Sequence, residues 1–337
     1  MMTIATRRPN QAEIAARLGV SVSTVSRALA NEAGVSEALR RDVYKIARAL
    51  GYRSKHAGAM GVERRAVALV PLGGATSGMS GFYVGIVDGM RAAAEETGLE
   101  LDMRLINESQ VSLDLIERHI TQSEASGLLL AGIDAWDGLV DWCAERAFPV
   151  VLVNGTDPLM RLNSVSPANF YGAYRAAQRL LDAGHRRILH YTHLARPTIL
   201  ERRRGFESAM AAVSGAESVI ISTSERTIPQ LLEDLLSNRH QVTAVFSWND
   251  LAAVEIIEGL HGGSGILPET FSIVGFDDLP LAGMTSPRLS TMRVDREAIG
   301  RGAIRLLVTQ MEGEAAVQQL EIGVTLVEGQ TVRQLKR

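Results

Sequence analysis

From Ala66 onward the chain alternates between short apolar runs and longer stretches in which apolar residues return at helical spacing. The runs Ala66–Val70, Glu100–Ile106, Leu128–Leu130 and Val150–Val153 have strand length, and Tyr83–Glu96, Leu113–Gln122 and Leu139–Arg146 between them read as helices. In the first of these helices Val84, Val87, Met90 and Ala94 fall on one face, the side expected to be buried. The alternation then repeats. Arg187–Tyr191, Ser218–Ile221, Val242–Phe246 and Ser272–Phe276 read as strands, with helices at Ala168–Ala183, Arg202–Val213, Ile228–Leu236 and Asp250–Leu260. A further strand at Thr291–Val294 and a long helix at Asp295–Met311 follow. Strands joined by helices of this length predict parallel sheets covered on both faces. Two such units predict an α/β core of two lobes, with a ligand crevice outside the C-terminal ends of the strands.

The residues ahead of Ala66 have a different pattern. Asn10, with Glu13 three residues later, has the form of a capping box opening a helix over Gln11–Leu18, in which Ile14, Ala15 and Leu18 are apolar at helical spacing. Gly19 supplies the turn. Ser21 is placed to cap a second helix ending at Leu29, with Val25, Ala28 and Leu29 inward. Ser36 is placed to cap a third, whose stripe is Leu39, Val43, Ile46, Ala47 and Leu50, closed by Gly51. The other face of the second helix offers Val22, Ser23, Ser26 and Arg27. Small side chains admit a helix to the floor of a major groove, a valine can meet a thymine methyl, and an arginine can pair with guanine or phosphate. The same pattern also suits a generic three-helix bundle.

Charge separates the same two regions. Residues 1–65 hold twelve Lys or Arg against five Asp or Glu, a balance of +7, whereas the whole 337-residue chain carries −3, leaving −10 on the remainder. A basic module on an acidic body fits a nucleic-acid partner for the first and none for the second. With 46% apolar and 22% charged residues the chain has the composition of folded cores, and its length suits two or three domains. A single cysteine, Cys143, excludes an internal disulfide. The opening residues lack the apolar run of a signal peptide, and the longest apolar runs are far below the roughly twenty residues that cross a bilayer, so a cytoplasmic protein is expected. No zinc-protease, nucleophile-elbow or phosphate-loop pattern occurs, and His185 and His190, which flank a strand, have no partners at metal-ligand spacing. No catalytic residue, cofactor or metal is expected.

The run Ala12-Glu-Ile-Ala-Ala-Arg-Leu-Gly-Val-Ser-Val-Ser-Thr-Val-Ser-Arg-Ala-Leu29, continued by Val35-Ser36 and Leu50-Gly-Tyr-Arg53, resembles the headpiece of the lactose-repressor/galactose-repressor family. Downstream, Ala183-Gly-His-Arg-Arg-Ile188, Arg202-Arg-Arg-Gly-Phe206, Trp248-Asn-Asp-Leu-Ala252 and Ile273-Val-Gly-Phe-Asp-Asp278 extend the resemblance over essentially the entire chain. It implies a sequence-specific transcription regulator, a repressor whose operator affinity is controlled allosterically by a sugar-like molecule. The implied fold is a small all-α helix-turn-helix headpiece joined to a two-lobed core akin to periplasmic sugar-binding proteins. The DNA-binding domain would be 1–53, a hinge 54–65 and the effector-binding core 66–337. Three crossings between lobes, near Leu159–Ser164, Ser290–Met292 and Ile322, would give an N-terminal lobe of about 62–161 and 292–321 and a C-terminal lobe of about 162–291 and 322–337. The family pattern places Val22, Ser23 and Arg27 at base-reading positions, and Ser21, Thr24, Ser26 and Asn31 at phosphate contacts, which fix register without encoding sequence.

The hinge departs from the family. Ser54-Lys55 stands where Pro-Asn is common, and the leucine that wedges into the minor groove is replaced by Gly61, which leaves Met60 as the substitute wedge. Gly58 and Gly61 each weaken a short helix by about 1 kcal/mol relative to alanine, so a poorly ordered hinge is the other reading.

By the same resemblance Arg202, Asn249 and Asp277 occupy effector-contact positions, a donor fork, an amide and a carboxylate suited to a hydroxyl-rich molecule. Arg202 opens its expected helix. Phe82, Trp136 and Trp248 either stack on a sugar face or pack a lobe, and Asp250 and Asp278 read as caps or loop ties. The implied partners are a palindromic operator, a sugar or sugar derivative, and a second copy of the chain. Because no heptad-bearing tail precedes Arg337, a dimer is expected rather than a tetramer. The competing reading is a cytoplasmic sugar-binding protein, or a sugar-modifying enzyme, without operator specificity.

Overall fold

A computed structural model describes residues 10–29, 34–36, 39–40, 42–43, 46–47, 64–73, 81–193, 196–261, 271–314 and 316–335. Asn31, Met60 and the hinge up to residue 63 lie outside these. The chain divides into two compact units, residues 1–64 with 309–315, and residues 65–308 with 316–337.

In the first unit, helix α1 (Gln11–Leu18) starts where the Asn10 side chain accepts the Glu13 amide at 3.1 Å and stops at Gly19, whose φ of 64° is the left-handed turn a side chain resists. Helix α2 (Val22–Leu29) buries Val25, Ala28 and Leu29. These meet Ile14 and Ala15 of α1 and Val43 and Ala47 of the third helical stretch in one small core. Ser36 accepts the Leu39 amide at 3.3 Å at the head of that stretch.

The second unit holds two six-stranded sheets. The first is built from β1 (Arg64–Pro71), β2 (Leu99–Ile106), β3 (Gly127–Ala131), β4 (Val150–Val153), β5 (Asn163–Pro167) and β11 (Gln319–Ile322), in the order β11-β5-β4-β3-β1-β2. The second comprises β6 (Arg187–Thr192), β7 (Glu217–Ser222), β8 (Ala244–Ser247), β9 (Ser272–Asp277), β10 (Ser290–Val294) and β12 (Val324–Val327), in the order β12-β10-β9-β8-β6-β7. From β11 to β1 and from β10 to β7 the pairings are parallel; β12 runs antiparallel to β10. The central strands β3 and β4 are apolar and buried throughout, as a sheet covered on both faces requires. The edge strands β7 and β11 carry Glu217 and Glu321 outward, which discourages pairing with another chain.

Helices α3 (Phe82–Thr97), α4 (Leu113–Gln122), α5 (Asp137–Arg146) and α10 (Arg296–Met311) belong with the first sheet, and α6 (Asn169–Asp182), α7 (Pro197–Ala211), α8 (Ile228–Leu236) and α9 (Asp250–His261) with the second. One face of the first sheet, with Val67, Leu69, Leu128 and Leu152, packs on Ile116 of α4 and Leu139 and Trp142 of α5. In the second lobe Val245, Leu189 and Tyr191 pack with Ile256 and Ile257 of α9, while the opposite face carries an aromatic column of Phe206, His190, Phe246 and Phe276. His190 and His185 are fully buried, and burial lowers them to about 3 and about 4, so both are neutral packing groups.

The chain passes between the lobes three times, between Pro167 and Asn169, between Val294 and Arg296, and between Ile322 and Val324. The first two crossings lie later than the boundaries drawn from the resemblance at 161/162 and 291/292. Residues 163–167 pair with β4 and β11, and residues 292–294 with β9 and β12, and backbone pairing rather than composition sets where each lobe ends. Strand β1 likewise begins at Arg64, inside the segment assigned to the hinge.

The expected inner face of α3 is also corrected. Val84 is 49% exposed, and the buried stripe is Tyr83, Ile86, Met90, Ala93 and Ala94. The helix is rotated because its glycines approach α10: a methyl on Gly89 would strike the Glu297 carbonyl, and one on Gly300 the Ile86 carbonyl. Gly300→Ala should therefore cost about 1–3 kcal/mol in urea unfolding, because backbone cannot yield as a side chain can. Gly302→Ala, which would meet only side-chain methyls of Val165 and Leu320, the nearest at 3.3 Å, should cost less. Equal effects would argue against the close helix contact.

Candidate functional site

On α2 the outward face holds Val22, 46% exposed, together with exposed Ser23, Ser26 and Arg27. Ser21 caps the helix, its Oγ accepting the Thr24 amide at 3.0 Å and lying 2.8 Å from the Thr24 hydroxyl. The Arg27 guanidinium lies over Gly34, where a methyl would come within 2.9 Å of Nη2 and where φ is +91°. A bare turn thus seats the long donor of this face. The surface is small and hydroxyl-bearing with one cation, the composition that permits close approach to a groove.

In the core the strand ends of the second lobe converge on a buried arginine. Arg202 is 4% exposed. Its Nε donates to Asn169 Oδ1 at 2.8 Å, Nη1 donates to the Trp248 carbonyl, and the guanidinium lies 3.7 Å from the Phe276 ring centroid. Nη2 stands 3.6 Å from Asp277 Oδ1, an ion pair too long for a hydrogen bond, and Oδ1 is buried without a hydrogen-bond partner. Burial lowers the arginine's pKa against the attraction of Asp277. Contrary to the sequence expectation, Arg202 does not open its helix: α7 begins at Pro197, and the arginine sits in its second turn, facing inward.

Asp277 ends β9 with φ +114°, and Asp278 follows at +50°. Asp250, fully buried at the head of α9, accepts the Leu279 amide at 2.8 Å and the Thr291 hydroxyl at 2.5 Å, so it ties the loop after β9 to β10. Asn249 caps α9, its Oδ1 accepting the Ala252 amide at 2.9 Å, which leaves only the amide nitrogen to donate elsewhere. Trp248 packs on the second-lobe core and tilts against His193 at 5.7 Å, with its Nε1 buried and unpartnered. Phe82 meets Tyr83 edge-on at 5.4 Å at the start of α3. Trp136 packs into the first-lobe core beside α5 and is not part of the Arg202 cluster.

Four residues that the sequence reading did not assign to the site meet here, and Arg196 joins the lobes through them. Arg196, the residue before α7, donates from Nε to Asp134 Oδ2 at 2.9 Å and from Nη2 to the Asn154 carbonyl at 2.7 Å. Burial opposes its charge, but the Asp134 carboxylate outweighs that and raises its pKa. Asn154 in turn donates to the Tyr83 hydroxyl at 3.1 Å, and burial raises that phenol. Asp134 and Asn154 follow apolar strands, as Asp277 does, and that placement was the available signal.

Comparison with known proteins gives this geometry a lineage. Residues 12–55 match the family described as bacterial regulatory proteins, lacI family, and residues 177–332 match the periplasmic binding protein-like domain. The HTH-type transcriptional regulator GntR of Pseudomonas aeruginosa is 31% identical over 335 residues, which span 96% of each chain. This chain belongs to the LacI family. The HTH-type transcriptional regulator CelR of Thermobifida fusca is 30% identical over 91% of this chain and 93% of its own. Among solved structures, a CelR–cellobiose complex is similar at 25% identity with a TM-score of 0.69, over 96% of this chain and all of that one. The lac repressor dimer bound to operator and an anti-inducer shares the fold at 18% identity and a TM-score of 0.70, over 97% of this chain and all of that one. As a LacI-family member the chain is a transcription regulator with a helix-turn-helix DNA-binding domain and an effector-binding-type core. Among the described residues no helix is long and apolar enough to cross a membrane, and no His, Cys, Asp and Glu group is placed to hold a metal.

Burial raises the Asp277 carboxyl to about 6, against the attraction of Arg202 and Arg296. In an unfolded chain an aspartate titrates near ~3.9. The folded protein therefore holds this proton more tightly, and stability falls as pH rises from about 4 to about 6. Asp250, raised by burial and by Asp277, acts in the same direction. In thermal melts from pH 4 to 7, Asp277→Asn should gain on the unmodified protein across that window. Parallel curves would contradict the assignment.

Proposed function

We propose that this regulator is a repressor that acts in the cytoplasm as a homodimer on a palindromic operator, released or engaged by a polyhydroxy small molecule bound between its lobes. The observation that carries the effector reading is the buried Asp277 oxygen, unpartnered beside Arg202 where the strand ends converge. Such an oxygen costs stability unless a donor reaches it, and a sugar hydroxyl is a donor of the right size. Arg202 and the Asn249 amide supply complementary donors, with Trp248 and Phe82 offering apolar surface to a ring face. The cellobiose bound by the similar CelR supports a carbohydrate class.

At the other end Val22, Ser23 and Arg27 read bases, and Ser21, Thr24, Ser26 and Asn31 contact phosphates. Met60 wedges into the minor groove at the operator centre. A ligand that favours one arrangement of the lobes over another shifts operator affinity by its differential binding to the two.

Fluorescence anisotropy with a promoter fragment tests the DNA half. Binding should weaken steeply with salt and keep a sequence preference, and Arg27→Ala should lose about tenfold or more on the specific site while non-specific binding changes little. A protein with no sequence preference at moderate salt would instead be the sugar-capture protein of the competing reading. For the effector half, a thermal-shift series over D-glucose, D-ribose, cellobiose, glucose 6-phosphate and adenosine should give a shift that Asp277→Ala abolishes. A shift of equal size in both proteins would remove Asp277 from the site.

A further inference from the structure

Asp277 and Asp278 are consecutive residues with side chains in the left-handed region, a backbone corner that persists only where its surroundings hold it. Asp278 is held within its own lobe, its Oδ2 accepting from Arg293 Nε at 2.7 Å. The second hold comes from the other lobe. Arg296 opens α10, the helix that packs on α3 through Gly89 and Gly300. Its Nη1 donates to the Asp277 carbonyl at 2.7 Å and more weakly to the Asp278 carbonyl at 3.4 Å. The same side chain lies across Gly85 of α3, where an added methyl would come within 3.0 Å of the Arg296 Cβ and 3.3 Å of its Nε. Beside it opens a cavity of about 350 Å³ lined by Gly85, Asp278, Arg293, Arg296 and Gly323, so the guanidinium has room to move on one side and two carbonyls on the other.

From this arrangement we infer that Arg296 is a positioning residue for the effector site: it holds the Asp277 corner so that the carboxylate faces the cleft, and it makes that corner's geometry dependent on where the first lobe stands. The inference rests on the reading of Asp277 as an effector contact. Arg296 touches no ligand in it; it acts through the backbone of the residue that does. The glycine at 85 is part of the device, because a methyl there would crowd the Arg296 stem and push it from the path by which it reaches the second lobe. A ligand hydroxyl that pulls on Asp277 thereby loads the β10–α10 crossing, the second of the three connections between lobes.

The test is isothermal titration of the full chain with whichever of D-glucose, D-ribose, cellobiose, glucose 6-phosphate and adenosine shifts its melting temperature most. Arg296→Met keeps the stem over Gly85 and removes the donors, and should weaken binding about tenfold. Arg296→Lys, which restores a cationic donor, should recover part of that loss. Gly85→Ala should reproduce the loss with Arg296 intact, by displacing it. Arg301→Met, on the same helix as Arg296, breaks only an exposed pair with Glu96 of α3 and should bind as the unmodified protein does. Unchanged affinity in Arg296→Met, or a loss that Arg296→Lys and Arg301→Met share equally, would overturn the role of Arg296. An unmodified protein that responds to none of the five compounds would instead sink the underlying reading of the cleft.

Discussion

A guanidinium taken out of water needs an acceptor for its donors and a counter-charge, and much of the core is arranged around that demand at Arg202. Its partners come from three segments: Asn169 at the head of α6, the Trp248 carbonyl after β8, and the Phe276 ring and Asp277 carboxylate at the end of β9. The three segments are far apart in the chain, and bringing them together requires β8 and β9 to pair in register and α6 and α7 to pack closely. The latter contact depends on Gly205, where a methyl would strike the Phe170 carbonyl. The aromatic column from Phe206 through His190 and Phe246 ends at Phe276, the ring on which the arginine lies. The price of burying the charge is met except at one oxygen of Asp277, and that residual demand makes the place chemically expectant.

Two further arginines connect the lobes, and they do so in opposite directions. Arg196 leaves the second lobe to meet the Asp134 carboxylate and the Asn154 carbonyl in the first. Arg296 leaves the first lobe to meet the carbonyls of Asp277 and Asp278 in the second. Each spends donors on backbone at the end of a strand, so a change in how the lobes stand must lengthen or redirect these bonds. The Ala168 amide, bonded at 2.8 Å to the Ile322 carbonyl, links the first crossing to the third. The connections between lobes are therefore linked by hydrogen bonds at both ends, so a molecule that changed how the lobes stand would act on all of them.

Much of this was legible beforehand, and the exceptions share a cause. The strands that are apolar on both faces, such as Val150–Val153, announce themselves because burial on both sides leaves no room for polar residues. Strand β5, Asn-Ser-Val-Ser-Pro, is buried throughout yet polar in composition, since the Asn163 side chain accepts the Gln318 amide at 2.7 Å and its backbone is paired on both sides. Periodicity sees no strand there. The inner face of α3 was misread because its closest contacts are made by glycines, which carry no hydrophobic signal. Arg202 was found through its motif, but its motif did not say that it is buried or that the helix starts at Pro197. Arg196 and Tyr83 carried no local signal, because their importance lies in contacts with residues far apart in the chain, and the place of Asn154 after an apolar strand did not say that Arg196 reaches it from the other lobe.

By itself the sequence determined most helices, the apolar strands, the basic headpiece and the family, because capping residues, apolar periodicity and a long helix-turn-helix motif are local properties, while the polar β5 and the short β11 and β12 escaped it. The outward face of α2 follows from the same local logic: Val25, Ala28 and Leu29 must be buried, so Val22, Ser23, Ser26 and Arg27 face away. Only the tertiary structure decided where each lobe begins, which carboxylate oxygen is buried without a hydrogen-bond donor, and which arginines span the lobes. Those outcomes depend on strand register and on backbone approach at glycines, and neither is encoded at any single position of the chain.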